Sequence, residues 1–209
     1  MINIGGYRIN PALIVIDAQN GFVSKGGSYD TLGINILPYN EVKLKIRHLI
    51  DISRSANIPI FYTQAIREPS GIDLLTNTHK ILPKAREERI RKNPICVRGT
   101  WDADIAEDLK PHNEDHIIIK RRDSAFHDTE IEVWLKSIGV DTLIFCGIDT
   151  SISVESSLRE AFNAGYNVIL ISDATASNNK KHYESTIENV KEYYGLVMSI
   201  DQFSKYLHQ

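Results

Sequence analysis

The chain alternates between short, continuous apolar runs and longer segments in which apolar residues recur every three or four positions. The runs are Ala12 to Ile16, Ile58 to Tyr62, His116 to Ile119, Thr142 to Cys146, Asn167 to Ile171 and a short one at Leu196 to Met198. They are rich in Val and Ile, and continuous hydrophobicity marks strands covered on both faces, as in a parallel sheet. Val42, Ile46, Leu49, Ile50 and Ser53 form a helical stripe ending near Asn57. Thr129, with Glu132 three residues later, predicts a capping box for a helix that runs through Trp134 and Leu135 towards Gly139. Val154, Leu158, Ala161 and Phe162 form another stripe, ending near Gly165. Strands alternating with helices predict an α/β fold, a doubly wound, Rossmann-like sandwich around a six-stranded, mostly parallel sheet. With no internal repeat, low-complexity tract or linker, residues 1–209 read as a single domain.

From Gln64 to Asp115 the pattern weakens, interrupted by Pro69, Gly71, Pro83, Pro94 and Gly99. Long loops of this kind are often functional, so a lid and substrate contacts are expected there.

Composition narrows the classes. The 42% hydrophobic and 24% charged content is that of an ordinary globular protein. A net charge of −3 offers no footprint for nucleic acid. The basic stretch Lys84 to Lys92 contains two glutamates and reads as a solvated segment. No apolar run approaches the roughly 20 residues of a membrane span. The first residues pass almost directly into a strand without a signal-peptide pattern, so a cytoplasmic setting is expected. Cys96 and Cys146 offer neither a disulfide framework nor metal-ligand spacing, and each lies among apolar neighbours as a small buried hydrophobe.

Three polar residues stand where apolar strands stop. Asp17 ends ALIVID, Lys120 ends HIIIK, and Ser153 lies six residues past TLIFCG, at the start of the next helix. Taken singly, such residues commonly cap loops or face solvent. In an open α/β sheet, however, ligands bind outside the carboxyl ends of the strands, so an acid, a cation and a hydroxyl can meet there.

Larger blocks carry a resemblance. DAQNGF (Asp17 to Phe22), GTWDADIAEDLKP (Gly99 to Pro111), the stretch Ile117 to Phe162 and GYNVILISDATAS (Gly165 to Ser177) are similar to the isochorismatase-like cysteine hydrolases. The match covers most of the chain and is weakest between Gln64 and Arg98. The K-R-x-S-A-F, G-T-W-D and GIDTSISVESSLREAF blocks most resemble the ureidoacrylate and N-carbamoylsarcosine amidohydrolases. The resemblance implies an Asp-Lys-Cys triad, with Asp17 as acid/base, Lys120 as the lysine and Ser153 at the place of the cysteine nucleophile. It also implies a cis peptide joining Ile148 to Asp149, with the amides of Asp149 and Ser153 directed at a substrate oxyanion, where such donors stabilise developing charge.

Ser153 is the departure. A thiol beside a cation and a helix N-terminus ionises near neutral pH, whereas an aliphatic hydroxyl needs a general base for direct abstraction. Three origins account for it: an engineered replacement of cysteine, a natural branch whose chemistry needs no nucleophile, or a pseudo-enzyme. No metal or other cofactor is expected. The metal-binding Asp-x-His…His set of the superfamily's nicotinamidases would follow the second strand, and that place reads Thr63-Gln64-Ala65-Ile66-Arg67. Phe22, Trp101 and Phe126 are candidate pocket walls, or else core aromatics. Asn20, Gln64 and Arg67 are candidate polar contacts, since Arg fits a carboxylate bidentately.

The reading that follows is an amidohydrolase cleaving a C–N bond of a small ureido or carbamoyl compound, impaired by serine at position 153. It works without a nucleic-acid or membrane partner and, as the resemblance implies, as a homodimer or homotetramer. The alternatives are an isochorismatase, which hydrolyses a vinyl ether without a covalent nucleophile, and a non-catalytic binding homologue.

Overall fold

A computed structural model describes residues 1–84, 86–87 and 95–207. Much of the stretch Lys84 to Lys92 therefore lies outside the described residues. Strands β1 (Ile2–Ile4) and β2 (Tyr7–Ile9) pair as a small antiparallel hairpin. The main sheet contains β3 (Pro11–Ile16), β4 (Ile60–Ala65), β5 (His116–Lys120), β6 (Thr142–Ile148), β7 (Asn167–Ala176) and β8 (Leu196–Met198). Their order is β5-β4-β3-β6-β7-β8, and every pairing is parallel. This six-stranded parallel sheet flanked by helices is the expected fold class.

The reason for the continuous apolar runs is visible in β3. All six of its residues are buried; Leu13 and Val15 enter the core on one face, while Ala12, Ile14 and Ile16 enter the core on the other. The first face packs against the long helix Leu37–Ser55 through Val42, Ile46, Leu49 and Ile50. The second packs against the helices Ile131–Ser137 and Glu155–Asn163 through Leu135, Leu158 and Ala161. Each such buried Leu or Ile contributes about 1.5–3 kcal/mol.

The chain enters the sheet at β3, runs outward to β4 and β5, then returns to lay β6 on the other side of β3. The order reverses at the β3–β6 pair, which makes its carboxyl edge the switch point where an α/β sheet opens a crevice. The parallel register sets the ends of β3, β4 and β5 near that same edge.

Three sequence expectations need correction. No capping box forms at Thr129: its hydroxyl donates to the Ala125 carbonyl, the Ile131 amide reaches it only at 3.4 Å, and Glu132 pairs with Lys136. A local carbonyl competed successfully for the hydroxyl. Phe162 lies at the rim, 43% exposed, against Tyr194 rather than in the core stripe. Strand β7 continues past Ile171 to Ala176, because its second half pairs with the end of β6 beyond a bulge.

Candidate active site

Three strand ends and one helix start converge at the carboxyl edge. Asp17 follows β3 with a left-handed φ of 47°, a conformation in which strain is tolerated where a site demands it. Its amide donates to Thr63 Oγ1 at 3.0 Å, and the same hydroxyl donates back to Asp17 Oδ1 at 2.6 Å. Asp17 Oδ2 lies 2.7 Å from Lys120 Nζ, and both side chains are almost wholly buried. The ammonium also faces Ser153 Oγ at 3.2 Å and the carbonyls of Asp123 and Arg122 at 2.8 and 3.1 Å. Four acceptors thus surround three N–H donors, and a buried ion pair with its remaining hydrogen bonds met is tolerated in a core.

Ser153 stands in the wide, π-helical turn Thr150–Val154 that opens the helix Glu155–Asn163. The turn is fixed from several sides. Its first carboxylate, Asp149, accepts from Tyr39 Oη at 2.6 Å, Ser177 Oγ at 3.2 Å, and the Ser151 amide and hydroxyl at 2.8 and 2.9 Å. Burial, then the neighbouring Asp149 charge, pushes the Tyr39 phenol well above its ordinary value, so it donates. Thr175 Oγ1 donates to the Gly147 carbonyl at 2.8 Å, and Ser157 Oγ donates to the Ser153 carbonyl at 2.6 Å. The Ile148–Asp149 peptide is cis.

The cluster opens into a cavity of about 100 Å³, the size for a small molecule. Asp17, Lys120, Asp149 and Ser153 form its polar floor; Phe22, Tyr29, Leu74, Leu75, Ile95 and Ile152 supply apolar wall; and Arg67, Arg86 and Arg122 bring positive charge. Arg86 pairs with Asp123. Arg67 meets no carboxylate among the described residues, and its Nη1 donates only to the Ile66 carbonyl, at 2.9 Å. Burial pushes its guanidinium below the ordinary value, against the opposing pull of the Asp73, Asp17 and Asp123 charges.

The isochorismatase domain family matches residues 11–202. The chain belongs to the isochorismatase family. It is 31% identical over 199 residues to the ureidoacrylate amidohydrolase RutB of Serratia proteamaculans (strain 568), covering 92% of this chain and 80% of that protein. The RutB protein of Agrobacterium fabrum (strain C58) is 29% identical over 205 residues, covering 95% and 90%. Among solved structures, an isochorismatase family protein from Desulfovibrio vulgaris superposes with a TM-score of 0.81 at 23% identity, over 97% of this chain and all of that one (100%). The N-carbamoylsarcosine amidase of Thermoplasma acidophilum gives a TM-score of 0.70 at 21% identity, over 91% and 96%. At those identities the structures speak for the family's fold.

Of the residues singled out in this family member, the structure brings Asp17, Lys120, Ser153, Ile148, Asp149, Phe22 and Arg67 to the cavity. The other four stand away from it. Asn20 is a buried brace, donating to the Trp101 carbonyl at 3.0 Å and accepting from Ser24 at 3.1 Å. Gln64 donates to the Ala103 carbonyl at 3.1 Å. The Trp101 side chain is 54% exposed, and Phe126 packs on Tyr166 in the core.

Sequence reasoning passed over several supports. Gln19, within DAQNGF, donates to the carbonyls of Ala65 and Ala103 at 3.1 and 2.8 Å and accepts the Ala65 amide at 2.8 Å. Asp102, within G-T-W-D, accepts from Ser28 N at 2.8 Å, Ser28 Oγ at 2.6 Å and Cys96 N at 2.7 Å. A polar residue inside each matched block was the available signal for both. Cys96 and Cys146 are buried, and burial raises both thiols. His112 and His116 stand four apart, but His116 packs on Phe61 and Trp134 at the opposite end of β5 from Lys120. Among the described residues, no three His, Cys, Asp or Glu side chains form a metal-binding group, and no helix is long and apolar enough to cross a membrane.

Proposed function

We propose that this chain is built for hydrolysis of the C–N bond of a small ureido or carbamoyl compound that also bears a carboxylate. The observation that carries the reading is the Asp17–Lys120–Ser153 cluster, joined by contacts of 2.7 and 3.2 Å on the floor of a small cavity beside Arg67. Similarity to ureidoacrylate amidohydrolases supports the ureido class. A largely desolvated guanidinium on the cavity wall, in no salt bridge among the described residues, supports the carboxylate.

With cysteine at position 153, Asp17 takes the thiol proton and Lys120 holds the resulting charge. The thiolate attacks the carbonyl carbon, and the amides of Asp149 and position 153 receive the oxyanion. Asp17 then returns its proton to the departing nitrogen as the C–N bond breaks. Water, activated by the same carboxylate, releases the acyl group from sulfur. With serine, the hydroxyl faces an ammonium, which accepts no proton, and ionises far less readily than a thiol, so attack is slow.

The test is ammonia release from ureidoacrylate, N-carbamoylsarcosine, biuret and carbamoyl amino acids by the Ser153 and Ser153→Cys forms. Ser153→Cys is expected to gain several powers of ten in kcat, because covalent attack is the first chemical step. Equal turnover by both forms overturns the nucleophile assignment. Ser153 itself favours a second reading, vinyl-ether hydrolysis with Asp17 as the proton donor and no covalent nucleophile. Pyruvate release from isochorismate by the serine form, with no amide cleaved by either form, establishes that reading instead. Inactivity of both forms on every compound leaves the binding homologue.

A further inference from the structure

Arg122 and Asp123 each face two ways. Their main-chain carbonyls accept from Lys120 Nζ at 3.1 and 2.8 Å. Their side chains reach the segment that covers the cavity: Arg122 Nη1 donates to the Asp73 carbonyl at 2.9 Å, and the Asp123 carboxylate pairs with Arg86. Arg121, just before them, pairs with Glu68 and, at 3.4 Å, with Asp73. Glu68 and Asp73 are joined in turn, the Glu68 amide donating to Asp73 Oδ1 at 3.0 Å. Leu74 and Leu75, directly after Asp73, line the cavity, as does Arg86. The residues immediately after Lys120 thus bind the cover with their side chains and the ammonium with their backbone.

We propose that Arg121, Arg122 and Asp123 form a latch through which the cover, residues Glu68–Leu75 with Arg86, positions Lys120. The proposal rests on the role given to Lys120 above. An ammonium has three N–H donors, and two of the four acceptors around Lys120 are the carbonyls of this turn. Where the turn sits therefore decides how the ammonium divides itself between Asp17, Ser153 and the backbone. Each cover contact is half-exposed and weak alone. Acting on one short turn, they bind together or release together. Arg121, Arg122, Asp123 and Arg86 are accordingly positioning residues for the reaction rather than catalytic ones.

The experiment uses the ¹⁵N-labelled Ser153 protein with Asp123→Asn, Arg86→Gln, both together, and the reversed pair Arg86→Asp with Asp123→Arg. Two signals are followed: amide exchange over Glu68–Leu75, and the side-chain ammonium resonance of Lys120, identified by its loss in Lys120→Met. Each single substitution is expected to speed exchange of the cover amides roughly tenfold, as for a local opening, and to shift or broaden the Lys120 resonance. The double variant should be no worse than either single one, since both remove one interaction, and the reversed pair should recover most of the loss. In the Ser153→Cys background, kcat should fall with either single substitution. Unchanged exchange, or faster exchange with an undisturbed Lys120 resonance, overturns the latch. Should Ser153→Cys show no turnover while both signals respond as expected, the functional reading fails and the latch stands.

Discussion

Ser153 Oγ lies 3.2 Å from the Lys120 ammonium at the start of a helix, a setting that lowers the proton affinity of a sulfur far more usefully than that of a hydroxyl. The two natural thiols are the contrast. Cys96 and Cys146 are buried, and the loss of solvent holds both in the protonated, unreactive state. Iodoacetamide is therefore expected to leave the native protein unmodified at neutral pH and to modify Ser153→Cys at a single position. Its rate should persist near pH 6, where an ordinary cysteine with a pKa of about 8.5 is almost entirely thiol. A labelling rate that declines below pH 8.5 as for a free cysteine would show that Lys120 does not pair with the introduced sulfur. Asp17 and Lys120 were legible from the sequence because each ends a continuous apolar run. The bracing roles of Asn20 and Gln64 were not, because a carboxamide at a loop start carries no mark of whether it meets ligand or backbone.

Strand β6 shows how an element prepares that chemistry. Gly147 has a φ of 108°, and a Cβ there would stand 2.1 Å from the Ile16 carbonyl oxygen. The obstacle is the backbone of β3, so it yields only if the β3–β6 ladder yields. Gly147→Ala is expected to cost about 4 kcal/mol, at the upper end of single substitutions. Gly33→Ala is the control for a left-handed backbone alone, because its φ of 73° borders the left-handed helical region and its Cβ would meet nothing. That change should cost about 1–2 kcal/mol. Urea denaturation measures both, and equal losses would show that close approach at Gly147 does not matter. The strands and the helix stripe from Val42 to Ser53 were readable because burial on one or both faces imposes a period. The failed capping box and the extension of β7 were not: the first turns on a local competition for the Thr129 hydroxyl won by the Ala125 carbonyl, the second on a partner distant in the chain, the far end of β6.

At the scale of the whole molecule, the sheet order places the ends of β3, β5 and β6 along one edge, so residues 17, 120 and 153 meet despite their separation in the chain. That much follows from a parallel sheet whose order reverses. The cavity walls contributed by Leu74, Arg86 and Arg122 come from aperiodic segments, where residue type alone names no neighbour. Those walls carry Arg67, whose guanidinium donates to the Ile66 carbonyl and forms no salt bridge among the described residues. A partly buried guanidinium with unused N–H donors on a cavity wall suits an anionic ligand group, which should bind and stabilise the fold. A carbamoyl amino acid is therefore expected to stabilise the Ser153 form. At one hundred times its Kd the gain is about 2.7 kcal/mol. For a chain of this length that corresponds to a rise in Tm of roughly 5–10 °C. The corresponding amide, with its carboxylate blocked, should give a much smaller shift. Arg67→Gln should remove most of the ligand-induced rise in Tm. Differential scanning calorimetry distinguishes the outcomes, and an undiminished ligand shift in Arg67→Gln would show that the carboxylate is held elsewhere.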